Sequence, residues 1–193
     1  MKEMLLLLIG SALVNNFVLV RFLGICPFLG MTRQVETALG MGVAASLVLV
    51  MSALAAWLVQ AYVLVPLKLA FLQIVVFILM IAVLVQLLEM VLKKSSPELY
   101  KAMGIYLALI TTNCAIMGIA LLVVTKGYTF LETLVFAVGA GLGFTLAMVI
   151  MAGVREELEY ADIPPSLRGS SLALLIAGIM SMSFMGFAGL VPM

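Results

Sequence analysis

The chain holds two thiols and no imidazole. Cys26 stands in "FLGICPFLG" and Cys114 in "LITTNCAIMG", each beside glycine and inside an oily run. Three fates are open to such a pair. Free cysteine is often a small buried packing residue. A disulfide needs an oxidant, which bacterial cytoplasmic and mid-membrane thiols lack. Ligation of a metal or iron–sulfur cluster is the third, because backbone amides freed at a helix break can point at sulfur and stabilise its negative charge. A [2Fe-2S] or [4Fe-4S] cluster takes about four cysteines, and this chain has only 2. Any cluster must therefore be shared with a second protein. The absence of histidine argues against histidine-ligated haem or zinc built by this chain alone.

Other polar residues gather near the thiols. Asn15 and Asn16 precede Cys26, while Thr111, Thr112 and Asn113 precede Cys114 directly. They suit caps of interrupted helices or hydrogen bonds around a cluster, and equally suit interhelical polar contacts. Gly24 and Pro27 flank Cys26; proline removes an amide donor and biases its predecessor away from the helical region, which predicts a break at the thiol. Arg21 is either an electrostatic partner of a nearby redox centre or a side chain reaching for the interface. Glu89, in "QLLEMVLKK", is either an ion-coupling carboxylate or an i,i+4 partner of Lys93.

The elements that must position these residues are membrane helices. The 193 residues are 66% hydrophobic and 10% charged, with a mean hydropathy of +1.34. A soluble domain carries about 25% charged residues. Runs of about 20 apolar residues predict six spans, at roughly 4–28, 38–61, 69–92, 101–123, 131–153 and 170–190. "MKEMLLLLIG" has signal-peptide character, but the apolar run continues without a small-residue cleavage site, so it reads as a retained first span. The separators "MTRQVET", "QAYVLVPLK", "KKSSPELYK", "TKGYTFLE" and "REELEYADIPPSLRG" carry most of the charge. One side collects Arg33, Lys93, Lys94, Lys101, Arg155 and Arg168, the other Lys2, Lys68 and Lys126. The excess of positive charge predicts the first side to be cytoplasmic and both termini to be outside.

All of 1–193 reads as one membrane domain, with two repeats of about 1–96 and 97–193. Asn16 aligns with Asn113, and Glu36-Thr37 aligns with Glu132-Thr133. A repeat of three spans is an odd number, so the second copy enters the membrane inverted, and such folds place sites where corresponding helices are broken. The interrupted spans are the first and fourth, which carry the cysteines. The fifteen methionines read as packing, and the glycines of "GMGVAAS" and "AVGAGLGF" as close helix contacts, including a partner interface. The loop "VREELEYADIPPSLRG" reads as a solvated connector or a docking surface.

"LVNNFVLVRFLGICPFLG", "GIYLALITTNCAIMG", "VREELEYADIPPSLRG" and "SFMGFAGL" resemble the A subunits of Rnf complexes, membrane ferredoxin:NAD oxidoreductases that pump ions. The same family holds the D and E subunits of sodium-pumping NADH:quinone reductase. The resemblance covers the whole chain. It implies an all-α fold of six spans in two inverted three-helix repeats, and a homologous partner of opposite orientation, the E subunit. It further implies one intramembrane [2Fe-2S] cluster with two cysteines from each chain, here Cys26 and Cys114, relaying electrons between iron–sulfur and flavin subunits. Transport of Na+ or H+ is coupled to this relay. The location implied is the bacterial plasma membrane, and the isolated chain is expected to have no activity. The alternatives are the E subunit of a quinone reductase, and a cluster-free inverted-repeat transporter or scaffold with incidental thiols.

Overall fold

The computed structural model describes residues 2–67, 70–95, 107–162, 164 and 169–187. Lys68, Lys101 and Arg168, the start of the fourth expected span, and parts of "DIPPSLRG" and "SFMGFAGL" lie outside them. Every regular element described is helical. The elements are α1 (Lys2–Ile9), α2 (Ile25–Met31), α3 (Val35–Val59), α4 (Gln73–Ser95), α5 (Leu107–Thr111), α6 (Cys114–Lys126), α7 (Phe130–Glu159) and α8 (Ser170–Met185). A π-helical turn, Gly10–Val14, continues α1, and another, Gln60–Leu64, continues α3.

Among the described residues, four stretches are long and apolar enough to cross a membrane: Val35–Leu64, Gln73–Val91, Leu109–Lys126 and Phe130–Glu159. Glu3–Val14 and Ser170–Met185 are apolar but shorter than a full crossing. Outward-facing Val75, Leu79, Val83 and Leu87 on α4 are at least half exposed, a surface suited to hydrocarbon rather than water.

Helix boundaries depart from the hydropathy pattern at two places. "QAYVLVPLK", expected as a separator, is helical through Leu67. Pro66 has no amide to donate, and the widened turn lies directly ahead of it. "VREELE", expected within a connector, forms the last turns of α7 instead. Arginine, leucine and glutamate are good helix formers, so the helix outlasts the apolar run. At 30 residues, α7 is about 45 Å long, more than a bilayer core requires.

The centre of the molecule is the antiparallel pair α3 and α7. Thr32, just ahead of α3, meets Arg155; Gly42 meets Thr145, Ser46 meets Gly141, and Trp57 meets Phe130. Each step forward along one helix is matched by an equal step back along the other. Small residues permit the approach: a Cβ on Gly42 would lie 2.8 Å from the Thr145 methyl, and one on Gly141 would lie 2.9 Å from Ser46 Cβ. Ser46 Oγ donates to Gly141 O at 2.8 Å and lies 2.9 Å from Thr145 Oγ1. The opposite flank of α7 receives the first helix, with Gly139 against Leu8 and Ser11 and Gly143 against Ala12. These glycines are thus used in contacts within the chain.

The two ends of the pair differ chemically. At one end Trp57 Nε1 donates to Tyr128 O at 2.9 Å beside Lys126. At the other, Arg155 Nη1 donates to Leu29 O at 2.9 Å and Thr32 Oγ1 at 3.0 Å, and Arg33 lines the same cleft. Arg33 and Arg155, grouped by the charge count, share an end.

A candidate cysteine site at two helix breaks

Between the π turn and α2 the chain is irregular from Asn15 to Gly24, yet it stays buried from Asn16 to Leu19. Buried irregular backbone must find its hydrogen bonds within the protein. Asn16, fully buried, supplies most of them. Its Oδ1 accepts from Val18 N at 3.0 Å and Leu19 N at 3.4 Å, and its Nδ2 donates to Ala12 O at 3.2 Å and to Gly143 O on α7 at 2.8 Å. Ser181 of α8 donates to Leu19 O at 2.6 Å, and Leu23 N to Phe17 O at 2.8 Å.

The turn into α2 uses two left-handed residues, Phe22 at φ 55° and Gly24 at φ 85°. The break therefore lies upstream of Cys26 and not at it, correcting the expectation drawn from Pro27. Cys26 and Pro27 both belong to the first turn of α2. An amide in that turn has no partner within the helix, so proline there starts a helix rather than ending one.

The second break is shorter. α5 ends at Thr111 and α6 begins at Cys114, with Asn113 between them as the N-cap; its Oδ1 accepts from Ala115 N at 3.0 Å. Asn113 Nδ2 is buried and has no hydrogen-bond partner. Each cysteine thus sits in the opening turn of a helix that follows a break.

The two breaks touch. A Cβ placed on Gly24 would lie 3.1 Å from Asn113 Oδ1, 3.3 Å from Ala115 Cβ and 2.9 Å from the Phe144 ring. Asn113 and Ala115 are the immediate neighbours of Cys114, and Gly24 is two residues from Cys26. In return, Leu23 lies over Gly118 of α6, where a Cβ would come within 2.6 Å of Leu23 Cδ1. α2 also packs on α5. Cys26 and Cys114 are both free thiols, and both are exposed at the surface of the chain.

The structure thus gathers Gly24, Pro27 and Asn113 around the two thiols. Thr112 is exposed on the second break, and Arg21 is exposed on the first. Asn16 stands at the far end of its break, against α7. Glu89 is half-buried in the last two turns of α4. Leu23, Phe144 and Ser181 join the site without a signal strong enough to predict them. Nothing distinguishes Leu23 or Phe144 from other apolar residues, whereas Ser181 is a polar residue in an apolar helix. Among the described residues, no three His, Cys, Asp or Glu side chains converge as a metal-binding group.

The family of Rnf-Nqr subunits, described as membrane proteins, matches residues 4–191. Over 192 residues, covering 100% of both chains, the chain is 55% identical to the A subunit of the ion-translocating oxidoreductase complex of Syntrophotalea carbinolica. The corresponding A subunit of Serratia proteamaculans is 54% identical over 191 residues, 99% of each chain. That of Escherichia coli O1:K1 is 50% identical over 193 residues, 100% of each.

Proposed function

The chain belongs to the Rnf-Nqr family of membrane subunits, and from that membership we propose that it holds half of an intramembrane [2Fe-2S] cluster in an ion-translocating ferredoxin:NAD oxidoreductase. Cys26 and Cys114 are the two ligands it supplies. A homologous subunit of opposite orientation supplies the other two, and further subunits carry flavins and iron–sulfur centres. The chain makes six crossings of the bacterial plasma membrane as two inverted three-helix repeats. The first and fourth are the broken ones, and both termini lie outside the cytoplasm. Passage of electrons is coupled to Na+ or H+ transport.

The observation that carries this reading is the contact between the two breaks, with both thiols left on the outer surface of the pair. Thiols meant for packing would point inward. A site completed by a second chain requires them to point outward. Two sulfurs are half the usual cluster set, and the chain offers no third ligand beside them among the described residues. The antiparallel crossing of α3 and α7, the second helices of the two repeats, is the arrangement that inverted repeats require.

Bound between two such pairs, the cluster would accept and release one electron at a time. The chain's own contribution is placement. Asn16 and Asn113 satisfy the broken backbone, so that a non-helical segment survives at membrane depth. Phe144 and Ala115 pack against Gly24 on the inner side of the break, and the two cysteines are exposed. The break that leads to Cys26 is tied to α7 through Asn16 and Gly143 and to α8 through Leu19 and Ser181, and this limits the movement of that ligand when charge arrives.

Electron paramagnetic resonance of the purified complex tests the assignment. The wild type gives a [2Fe-2S] signal, and Cys26→Ser and Cys114→Ser each abolish or alter it. An unchanged signal in both variants would refute the ligand assignment, and an iron-free wild-type complex would favour a cluster-free transporter.

A further inference from the structure

Each break presents a glycine to the other. Gly24 is left-handed, and its missing side chain is replaced by Asn113 Oδ1, Ala115 Cβ and the Phe144 ring. Gly118, one turn beyond Cys114, is overlaid by Leu23, the residue before Gly24. Leu23 is delivered there by the two left-handed residues on either side of it, Phe22 and Gly24, and by the hydrogen bond that its own N–H donates to Phe17 O. The contact is therefore reciprocal: the segment before Cys26 enters a gap in α6, and the cap of α6 enters a gap in the segment before Cys26. Gly30 stands one turn beyond Cys26, as Gly118 stands one turn beyond Cys114, but nothing lies within 4 Å of the Cβ it lacks. The two glycines share a setting in sequence, and the structure separates them.

We infer that Gly24 and Gly118, with Leu23 as the inserted side chain, form an interlock that fixes the separation of Cys26 and Cys114. These three are positioning residues; none is a ligand. The inference rests on the proposed pairing of the two thiols at one site, and it adds the device that sets their spacing. The glycines are required for different reasons. At Gly118 any side chain meets Leu23. At Gly24 any side chain meets the Asn113 cap, and an L-residue also resists the left-handed backbone. A methyl group at Gly118 obliges the Leu23 side chain to leave its seat on α6, and one at Gly24 displaces the Asn113 cap or the Phe144 ring; with the interlock open, the segment before Cys26 shifts on α6 and the two thiols separate.

The chain's own cysteines serve as the probes, since it has only 2. The full-length chain, purified in detergent, is treated with bis-methanethiosulfonate reagents of graded span, and intramolecular bridging is read by intact mass. In the wild type, short reagents bridge Cys26 to Cys114. In Gly118→Ala and in Gly24→Ala, bridging by the short reagents falls by about tenfold or more, as expected from overpacking a tight contact, and longer reagents recover it. Adding Leu23→Ala to Gly118→Ala removes the obstructing side chain and restores short-range bridging, which a variant that had failed to fold would not do. Gly153→Ala, where nothing lies within 4 Å, behaves as the wild type. Wild-type bridging by both glycine variants overturns the interlock, as does a wild type that no short reagent bridges. Iron analysis of the wild-type complex is a separate arm. An iron-free complex removes the cluster reading and leaves the bridging result standing, whereas iron retained with unchanged bridging in both glycine variants removes only the interlock.

Discussion

Asn16 and Asn113 do the same work with one half of the carboxamide and different work with the other. Each Oδ1 accepts the amide two residues on, holding the chain where helix hydrogen bonding stops. Asn16 Nδ2 also reaches Gly143 O on α7, whereas Asn113 Nδ2 is buried without a partner. Replacing Asn16 by Ala takes the acceptor from the Val18 and Leu19 amides of the break and removes the tie to Gly143 O, and leaving a buried donor unpaired costs about 1–3 kcal/mol. A clear drop in the thermal midpoint of Asn16→Ala in detergent is the expected result. Asn113→Ala costs less, because only the bond to Ala115 N is lost; a larger drop for Asn113→Ala than for Asn16→Ala would contradict this. Both asparagines were legible in the sequence as polar residues repeated beside the two cysteines. Leu23 was not, because a leucine in an oily run gives no sign of what it will be packed against.

Helix contacts at α7 depend on which glycine is changed. A Cβ at Gly143 would collide with Ala12 backbone atoms, which have no rotamer by which to move aside. At Gly153, on the same helix, there is open space. Gly143→Ala is therefore expected to lose about 1–3 kcal/mol through overpacking. Gly153→Ala is expected to gain up to about 1 kcal/mol from helix propensity. Thermal unfolding of the two variants in one detergent checks both the signs and the gap between them. The apolar runs made the long helices legible, but their ends were not. Hydropathy marks where the chain changes solvent, and a helix can cross that boundary, as α7 does with "VREELE" and α3 does through "AYVLV". The break before Cys26 was legible as a break but misplaced, because a proline in a first turn and a proline in a helix interior look alike until the preceding residues' dihedrals are known.

Viewed whole, the molecule is built about the α3–α7 pair, and its ends carry different residues. The Arg33 and Arg155 end is expected to face the cytoplasm and the Lys126 end the outside. In a background lacking both native thiols, Lys126→Cys is expected to react with a membrane-impermeant maleimide in intact cells. Arg33→Cys is expected to react only after the membrane is opened, and the reverse pattern would invert the assignment. Sidedness was readable only as a charge count. The antiparallel register that brings Arg155 to Thr32 depends on small residues whose partners are distant in the chain. The outward placement of Cys26 and Cys114 also constrains how the complex is made. On the proposed reading, a newly synthesised copy that has not met its partner would carry two exposed thiols, open to oxidants and scavenging metals. If these residues hold the proposed cluster, delivery of iron and sulfide would have to coincide with pairing of the two chains, and orphan copies would be identifiable to the cell by the reactivity of that flank.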